Sequence, residues 1–112
     1  MFGDIELSIV PNEDYETAIV RSATFKDPKK NFGALLGEIT VDRGGFAVRD
    51  PNQVVVGTIS PKLELEGWDD GCDKRQPVMI RRVQPSAYVI MNGSTPVGTI
   101  KGRFPRNGFG AR

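Results

Sequence analysis

The chain has 112 residues, of which 38% are hydrophobic and 26% are charged, so its length and composition suit one globular domain with a modest core. It has no histidine and one cysteine, Cys72, which excludes Ser-His and Cys-His catalytic pairs, an intramolecular disulfide and a cysteine-based zinc site. No apolar run approaches the roughly 20 residues of a membrane-spanning helix, and the N-terminal segment is acidic where a signal peptide is basic. We therefore expect a cytosolic protein without a transmembrane segment.

Two strands are predicted at the N-terminus. Apolar and polar residues alternate over residues 5–9 and again over 15–19, which is the period of a half-buried β-strand. Between them, residues 11–14 are Pro-Asn-Glu-Asp, a combination typical of a turn. The chain is therefore predicted to begin with an antiparallel hairpin.

An internal repeat occupies most of the remaining sequence. The tetrapeptide Val-Gly-Thr-Ile occurs at residues 56–59 and again at 97–100, an offset of 41 residues. The same offset matches two further pairs, Ile39 with Ile80 and Val48 with Val89. Enrichment in Val, Ile and Thr predicts three short strands in each copy. Their expected bounds are roughly 34–41, 45–50 and 54–60 in the first copy, and 77–83, 86–91 and 95–101 in the second.

These elements predict an all-β, mainly antiparallel fold, because about eight strands are expected and no stretch has a convincing helical period. The architecture would be a small curled sheet or barrel, built from the N-terminal hairpin and two three-stranded repeats at about 34–60 and 77–101. We expect a single β domain over residues 1–102. Residues 103–112 combine Gly, Arg and Phe and are expected to form a basic, flexible tail that orders on a partner.

Two hairpin sequences carry a resemblance to a known family. FAVRDPNQVVVGTISPKL, residues 46–63, has an aromatic-led strand, an Asp at the turn, then Val-Gly-x-Ile and a Lys, and YVIMNGSTPVGTIKGRFP, residues 88–105, is a second hairpin with a basic Phe-Pro exit. Over about residues 39–105 the chain resembles the tubby-like superfamily, which includes the phospholipid scramblases and the LURP-one-related proteins. The chain is about half the usual length for that fold, and its tail cannot be the apolar C-terminal helix that fills the family's barrel. A half-barrel that completes itself by dimerising would answer both departures.

Charge is unevenly distributed although the net charge is only +1. Residues 1–19 carry five acids and no base, whereas residues 74–112 carry eight Lys or Arg residues and no acid. This basic segment either pairs with the acidic first half or presents a surface to a partner. The candidate partner-binding residues are seven of its bases and one aromatic anchor: Lys74, Arg75, Arg81, Arg82, Lys101, Arg103, Phe104 and Arg106.

Catalytic and metal sites are not expected. Cys72 is followed by Lys74 and Arg75, which would lower its pKa, but without a partner base a plain loop cysteine is the better interpretation. The acids of residues 68–73 supply oxygen ligands for a divalent cation, yet their spacing is not that of a calcium loop, and we interpret them as an acidic turn. We therefore predict a non-enzymatic protein with no metal, no cofactor and no small-molecule substrate.

Two classes of binding function remain open at this point. The first is association with another protein or with copies of itself, through opposite charges or through sheet edges left by an incompletely closed barrel. The alternative is an anion-binding module that contacts nucleic acid or anionic phospholipid head groups through the basic segment. We favour protein association by a homo-oligomer. The small size and the missing catalytic groups fit an accessory or regulatory protein of a phage or mobile element.

Overall fold

A computed structural model describes residues 2–68 and 71–106, and this part of the chain contains nine β-strands and no helix. The strands are β1 (Gly3–Pro11), β2 (Glu16–Asp27), β3 (Phe32–Asp42), β4 (Gly45–Arg49), β5 (Val55–Ile59), β6 (Glu64–Gly67), β7 (Val78–Gln84), β8 (Ala87–Asn92) and β9 (Thr95–Lys101). The predicted all-β class is confirmed. It follows that the described residues include no helix that could cross a bilayer.

The strands form a closed barrel in chain order. Each strand pairs antiparallel with the next, and β1 then pairs with β9 to close the ring. The closing pair is parallel, with Ile5 opposite Ile100, because an odd number of alternating strands leaves the first and the last running in the same direction. The barrel closes within one chain, so the expected half-barrel that needs a second copy for closure is wrong.

Alternate residues of the strands fill the interior. The largest side chains with almost no exposure are Ile5, Val20, Ile39, Val48, Ile59 and Ile90, which come from six different strands. β-Branched side chains of this kind fit a pleated, half-buried surface, which explains why the Val- and Ile-rich segments became strands. The core is therefore assembled from the whole circumference of the barrel.

Aromatic side chains cover the two ends of the barrel. At one end, Phe104 lies 5.3 Å from Phe46 and 5.1 Å from Tyr88, measured between ring centroids. We call this the Phe104 end, and it carries the β1–β2, β3–β4, β5–β6 and β7–β8 turns. At the opposite end, Phe2 and Trp68 meet edge to face at 5.2 Å.

Both copies of the repeated tetrapeptide occupy the same structural position. Val56 and Val97 are each the extra residue of a bulge, since Val48 and Arg49 pair with Gly57 and Val55, and Ile90 and Met91 pair with Gly98 and Pro96. The glycines let the next strand approach closely: a Cβ on Gly57 would lie 2.7 Å from the Glu66 carbonyl oxygen, and one on Gly98 would lie 2.8 Å from that of Gly3.

The predicted offset of 41 residues fails only for the middle strand of the repeat. Val48 pairs with Ile39, whereas Ile80, the counterpart of Ile39, pairs with Ile90 rather than Val89. The cause is a bulge at Val83, which inserts one residue between the outer and middle strands of the second copy. Ile90, not Val89, is therefore the counterpart of Val48.

Strand β6 was not predicted. It is four residues long, and Leu65 is its only buried side chain, so it shows too little alternation to be recognised. It pairs with β5 on one side and through two residue pairs with β7 on the other. This short strand closes the gap between the two repeats.

Candidate functional site

Three of the predicted partner-binding residues, Arg103, Phe104 and Arg106, make contacts within the barrel instead. The segment after β9 crosses the Phe104 end: the Gly102 N–H donates to the Ser86 carbonyl at 2.8 Å, and the Glu16 N–H donates to the Arg106 carbonyl at 3.2 Å. Phe104 is 9% exposed and belongs to the hydrophobic core. Its ring is therefore not available as an anchor for a partner.

Glu16, at the start of β2, holds this segment in place. The guanidinium of Arg103 donates to both Glu16 carboxylate oxygens at 2.7 Å, and the Arg106 N–H donates to Glu16 Oε1 at 2.7 Å. The hydrogen bonds from Arg103, followed by the one from the Arg106 N–H, lower the pKa of Glu16 from 4.5 to about 2. Arg103 and Arg106 thus neutralise an internal acid. Residues 103–106 of the predicted tail pack on the barrel, and residues 107–112 lie outside the described part of the chain.

The remaining predicted bases are spread along the length of the barrel. Lys101 is exposed at the Phe104 end of β9, and Arg82 and Arg81 are exposed in the second half and at the middle of β7. Lys74 and Arg75 precede β7 and lie toward the opposite end. The fold therefore does not gather these residues into a single basic surface.

The loop before β7 is organised by a buried amide. Asn92 accepts a hydrogen bond from the Asp73 N–H at 2.6 Å and donates to the Asp73 and Gln76 carbonyls at 3.0 and 3.2 Å. Arg75 pairs with Asp73 at 3.1 Å, and its side-chain and backbone hydrogen bonds lower the pKa of that carboxyl. Cys72 is half-buried against the core. The described residues contain no group of three potential metal ligands, while Asp69 and Asp70 of the predicted acidic turn lie outside them.

An unpaired strand edge lies on β3, where the sequence indicated nothing. β3 has eleven residues and β4 has five, and their pairing extends only from Asp42–Gly45 to Glu38–Arg49. Beyond this point the chain leaves β4 in a turn centred on Asp50, whose backbone and carboxylate hydrogen-bond the loop before β5. Of residues 32–36, Phe32, Gly33 and Leu35 pair with β2 in an irregular register and none pairs with β4, and we call residues 32–36 the open β3 edge.

Exposed apolar side chains accompany this edge. Phe32 is 41% exposed and Leu35 is 45% exposed, and Val54 and Val55, just beyond the Asp50 turn, are also exposed. The residues of the edge are Phe-Gly-Ala-Leu-Leu, which include no charge and no proline. Natural edge strands are usually protected by charged side chains or proline, or by a covering element. The open β3 edge therefore has the character of a pairing surface.

Contacts within the β2–β3 hairpin orient this segment. The Arg21 guanidinium lies 4.2 Å from the centroid of the Phe32 ring and donates a long hydrogen bond of 3.4 Å to the Gly33 carbonyl. Lys26 forms an ion pair with Glu6 of β1 at 3.1 Å. Glu6 lies between the buried Ile5 and Leu7, so this ion pair holds the hairpin against the outer face of β1.

Comparisons with protein-family models, with curated proteins and with solved structures gave no match. The resemblance to the tubby-like superfamily is not tested by these comparisons and stays a prediction. The barrel interior is filled by side chains from the strands, and the described residues supply no central helix.

Proposed function

We propose that the protein is a non-catalytic interaction protein that binds another polypeptide by strand addition to the open β3 edge. The observation that carries this proposal is the five-residue stretch of β3 that has no strand on its β4 side and includes or adjoins exposed apolar side chains. Unpaired backbone N–H and C=O groups of a strand edge bind an extended segment through main-chain hydrogen bonds, and neighbouring side chains supply specificity.

The distribution of bases favours this function over anion binding. Two of the seven candidate bases, Arg103 and Arg106, are engaged by Glu16, and the other five are spread along the barrel from one end to the other. A nucleic-acid site needs several bases on one face together with aromatic side chains for stacking, and here Phe104 and Tyr88 are buried. A cytosolic location and an accessory role in a phage or mobile element stay predictions.

Site-specific photo-crosslinking tests the proposal. A benzophenone amino acid is placed at Leu35, on the open β3 edge, and in a matched variant at Val83, which is 53% exposed on β7. We expect position 35 alone to crosslink to a second polypeptide, at a contiguous extended segment identified by mass spectrometry. Adding Ala34→Pro, which introduces a residue without an N–H into the edge, should abolish these crosslinks. Equal crosslinking from both positions, or none from position 35, would refute strand addition at this edge.

A further inference from the structure

We propose that the segment bound by the open β3 edge is acidic, and that its carboxylates bind a basic cleft beside this edge. This inference rests on the proposed function and names the chemistry of the partner. The cleft has a volume of about 650 Å³ and lies on the β2–β3 hairpin. It is lined by three bases, one acid and four residues of the edge: Arg21, Lys26, Lys30, Asp27, Phe32, Gly33, Ala34 and Leu35.

The irregular pairing of β2 with β3 explains why a cleft lies here. Arg21 pairs with Leu35 and Lys26 pairs with Gly33, and between these pairs lie residues 22–25 of β2 but only Ala34 of β3. β2 therefore bulges away from β3, and the bases at both ends of the bulge line the cleft. Residues 33–35 belong both to the cleft and to the open β3 edge. A segment paired with this edge would thus have side chains beside the bases.

Arg21 is placed to bind a carboxylate. Its guanidinium lies 4.2 Å from the centroid of the Phe32 ring, and this stacking reduces the conformational entropy that the side chain would lose on binding. Its one hydrogen bond within the described part of the chain is the long one to the Gly33 carbonyl, at 3.4 Å. Most of its five N–H groups therefore remain for a ligand, and a guanidinium binds a carboxylate through two parallel hydrogen bonds.

The other charges of the cleft leave it basic. Lys30 is exposed and forms no ion pair within residues 2–68 and 71–106, whereas Lys26 already pairs with Glu6 at 3.1 Å. Asp27 is the acid of the lining, and its carboxylate accepts a hydrogen bond from the Lys29 N–H at 2.9 Å. Arg21 and Lys30 are therefore the bases that we expect to bind the partner's carboxylates.

The surroundings of the cleft favour a peptide over a nucleic acid. The open β3 edge offers backbone N–H and C=O groups, which an extended peptide can pair and a nucleic acid cannot pair in the same way. Leu35 and Val55 are exposed and suit apolar side chains of such a peptide. The Phe32 ring is stacked under Arg21, so one of its faces is not available to a base.

Titration with short peptides tests the inference. The probe is Val-Glu-Val-Glu-Val, acetylated and amidated, whose two glutamates project to one face when it is extended, and Val-Gln-Val-Gln-Val is its uncharged match. In amide NMR spectra of the full chain, both peptides should shift the signals of residues 32–36. The acidic peptide should bind about fivefold more tightly at low salt. Equal dissociation constants, or shifts that avoid residues 32–36, would overturn the inference.

Variants of the cleft locate the preference. Arg21→Gln combined with Lys30→Gln should bring the two dissociation constants within about twofold, while the affinity for the uncharged peptide stays unchanged and shows that the edge is intact. Lys30→Gln alone, in the exposed turn, should reduce the preference about twofold. Lys29→Gln removes the same charge from the adjacent residue, which does not line the cleft, and should preserve the preference. Equal effects of Lys29→Gln and Lys30→Gln would indicate general charge attraction and refute binding in the cleft.

The outcomes separate this inference from the proposed function. If position 35 crosslinks to an extended segment without Asp or Glu, strand addition stands and the acidic partner is refuted. If position 35 crosslinks to no polypeptide and neither peptide shifts residues 32–36, both proposals fail. A thymidine oligonucleotide that binds the cleft more tightly than the acidic peptide would show that phosphates are its ligands, which would also refute the inference.

Discussion

Replacing Phe104 with Ala removes the ring that covers one end of the barrel. The side chain is 9% exposed and contacts the rings of Phe46 and Tyr88. Truncating a buried Phe costs about 3–5 kcal/mol, and the value here should lie near the lower limit, since a segment at a barrel end can relax into the space. We expect the free energy of unfolding to fall by about 3 kcal/mol and the melting temperature by about 12 °C or more.

Urea unfolding measures this loss directly. Trp68 lies at the opposite end of the barrel, so its fluorescence, followed together with far-UV circular dichroism, reports whether the whole barrel unfolds in one transition. Val83→Ala is the control, since this exposed side chain should contribute less than about 0.5 kcal/mol. If Phe104→Ala costs less than about 1 kcal/mol, Phe104 is not part of the core and the tail begins at residue 103, as the sequence predicted.

Two further predictions concern the polar contacts of the fold. The pKa of Glu16 is lowered from 4.5 to about 2, so its stabilising effect is complete above pH 4.5 and is lost as the pH falls toward 2. Glu16→Gln should therefore be less stable than the unmodified chain at pH 7 and lose less stability over that acidic range in thermal unfolding; parallel pH curves would contradict this. Asn92→Ala removes three hydrogen bonds from a buried amide and should cost about 2 kcal/mol. It should also accelerate hydrogen exchange in residues 71–77, and unchanged exchange there would show that Asn92 does not hold the loop.

Strands with regular alternation could be predicted from the sequence to within a residue or two. The middle and last strands of each repeat lie close to their expected bounds, because Val, Ile and Thr segments are separated by strong turn formers. The β-bulges could not be predicted from the sequence. Val83 shifts the middle strand of the second copy by one residue, and the irregular pairing of β2 between Arg21 and Lys26 breaks the alternation that would have extended the predicted hairpin.

The contacts of the C-terminal bases could not be predicted by counting charges along the sequence. The run of eight bases without an acid left two interpretations open, a surface for a partner and pairing with the acidic first half of the chain. Arg103 and Arg106 follow the second, since they bind Glu16, which lies almost ninety residues away in sequence. The barrel makes this pairing by bringing the β1–β2 turn beside the end of β9, and no count within one segment can detect it.

The open β3 edge arises from a difference in strand length and not from any motif. Its residues have the composition of an ordinary apolar strand, and the end of β4 at Arg49 leaves them without a neighbouring strand on that side. A closed barrel whose strands match in length has no free edge. Where a long strand lies beside a short one, the backbone groups of the longer strand remain free to pair with another segment. Because the core is already complete within one chain, a change on this edge should alter association while leaving the stability of the barrel nearly intact.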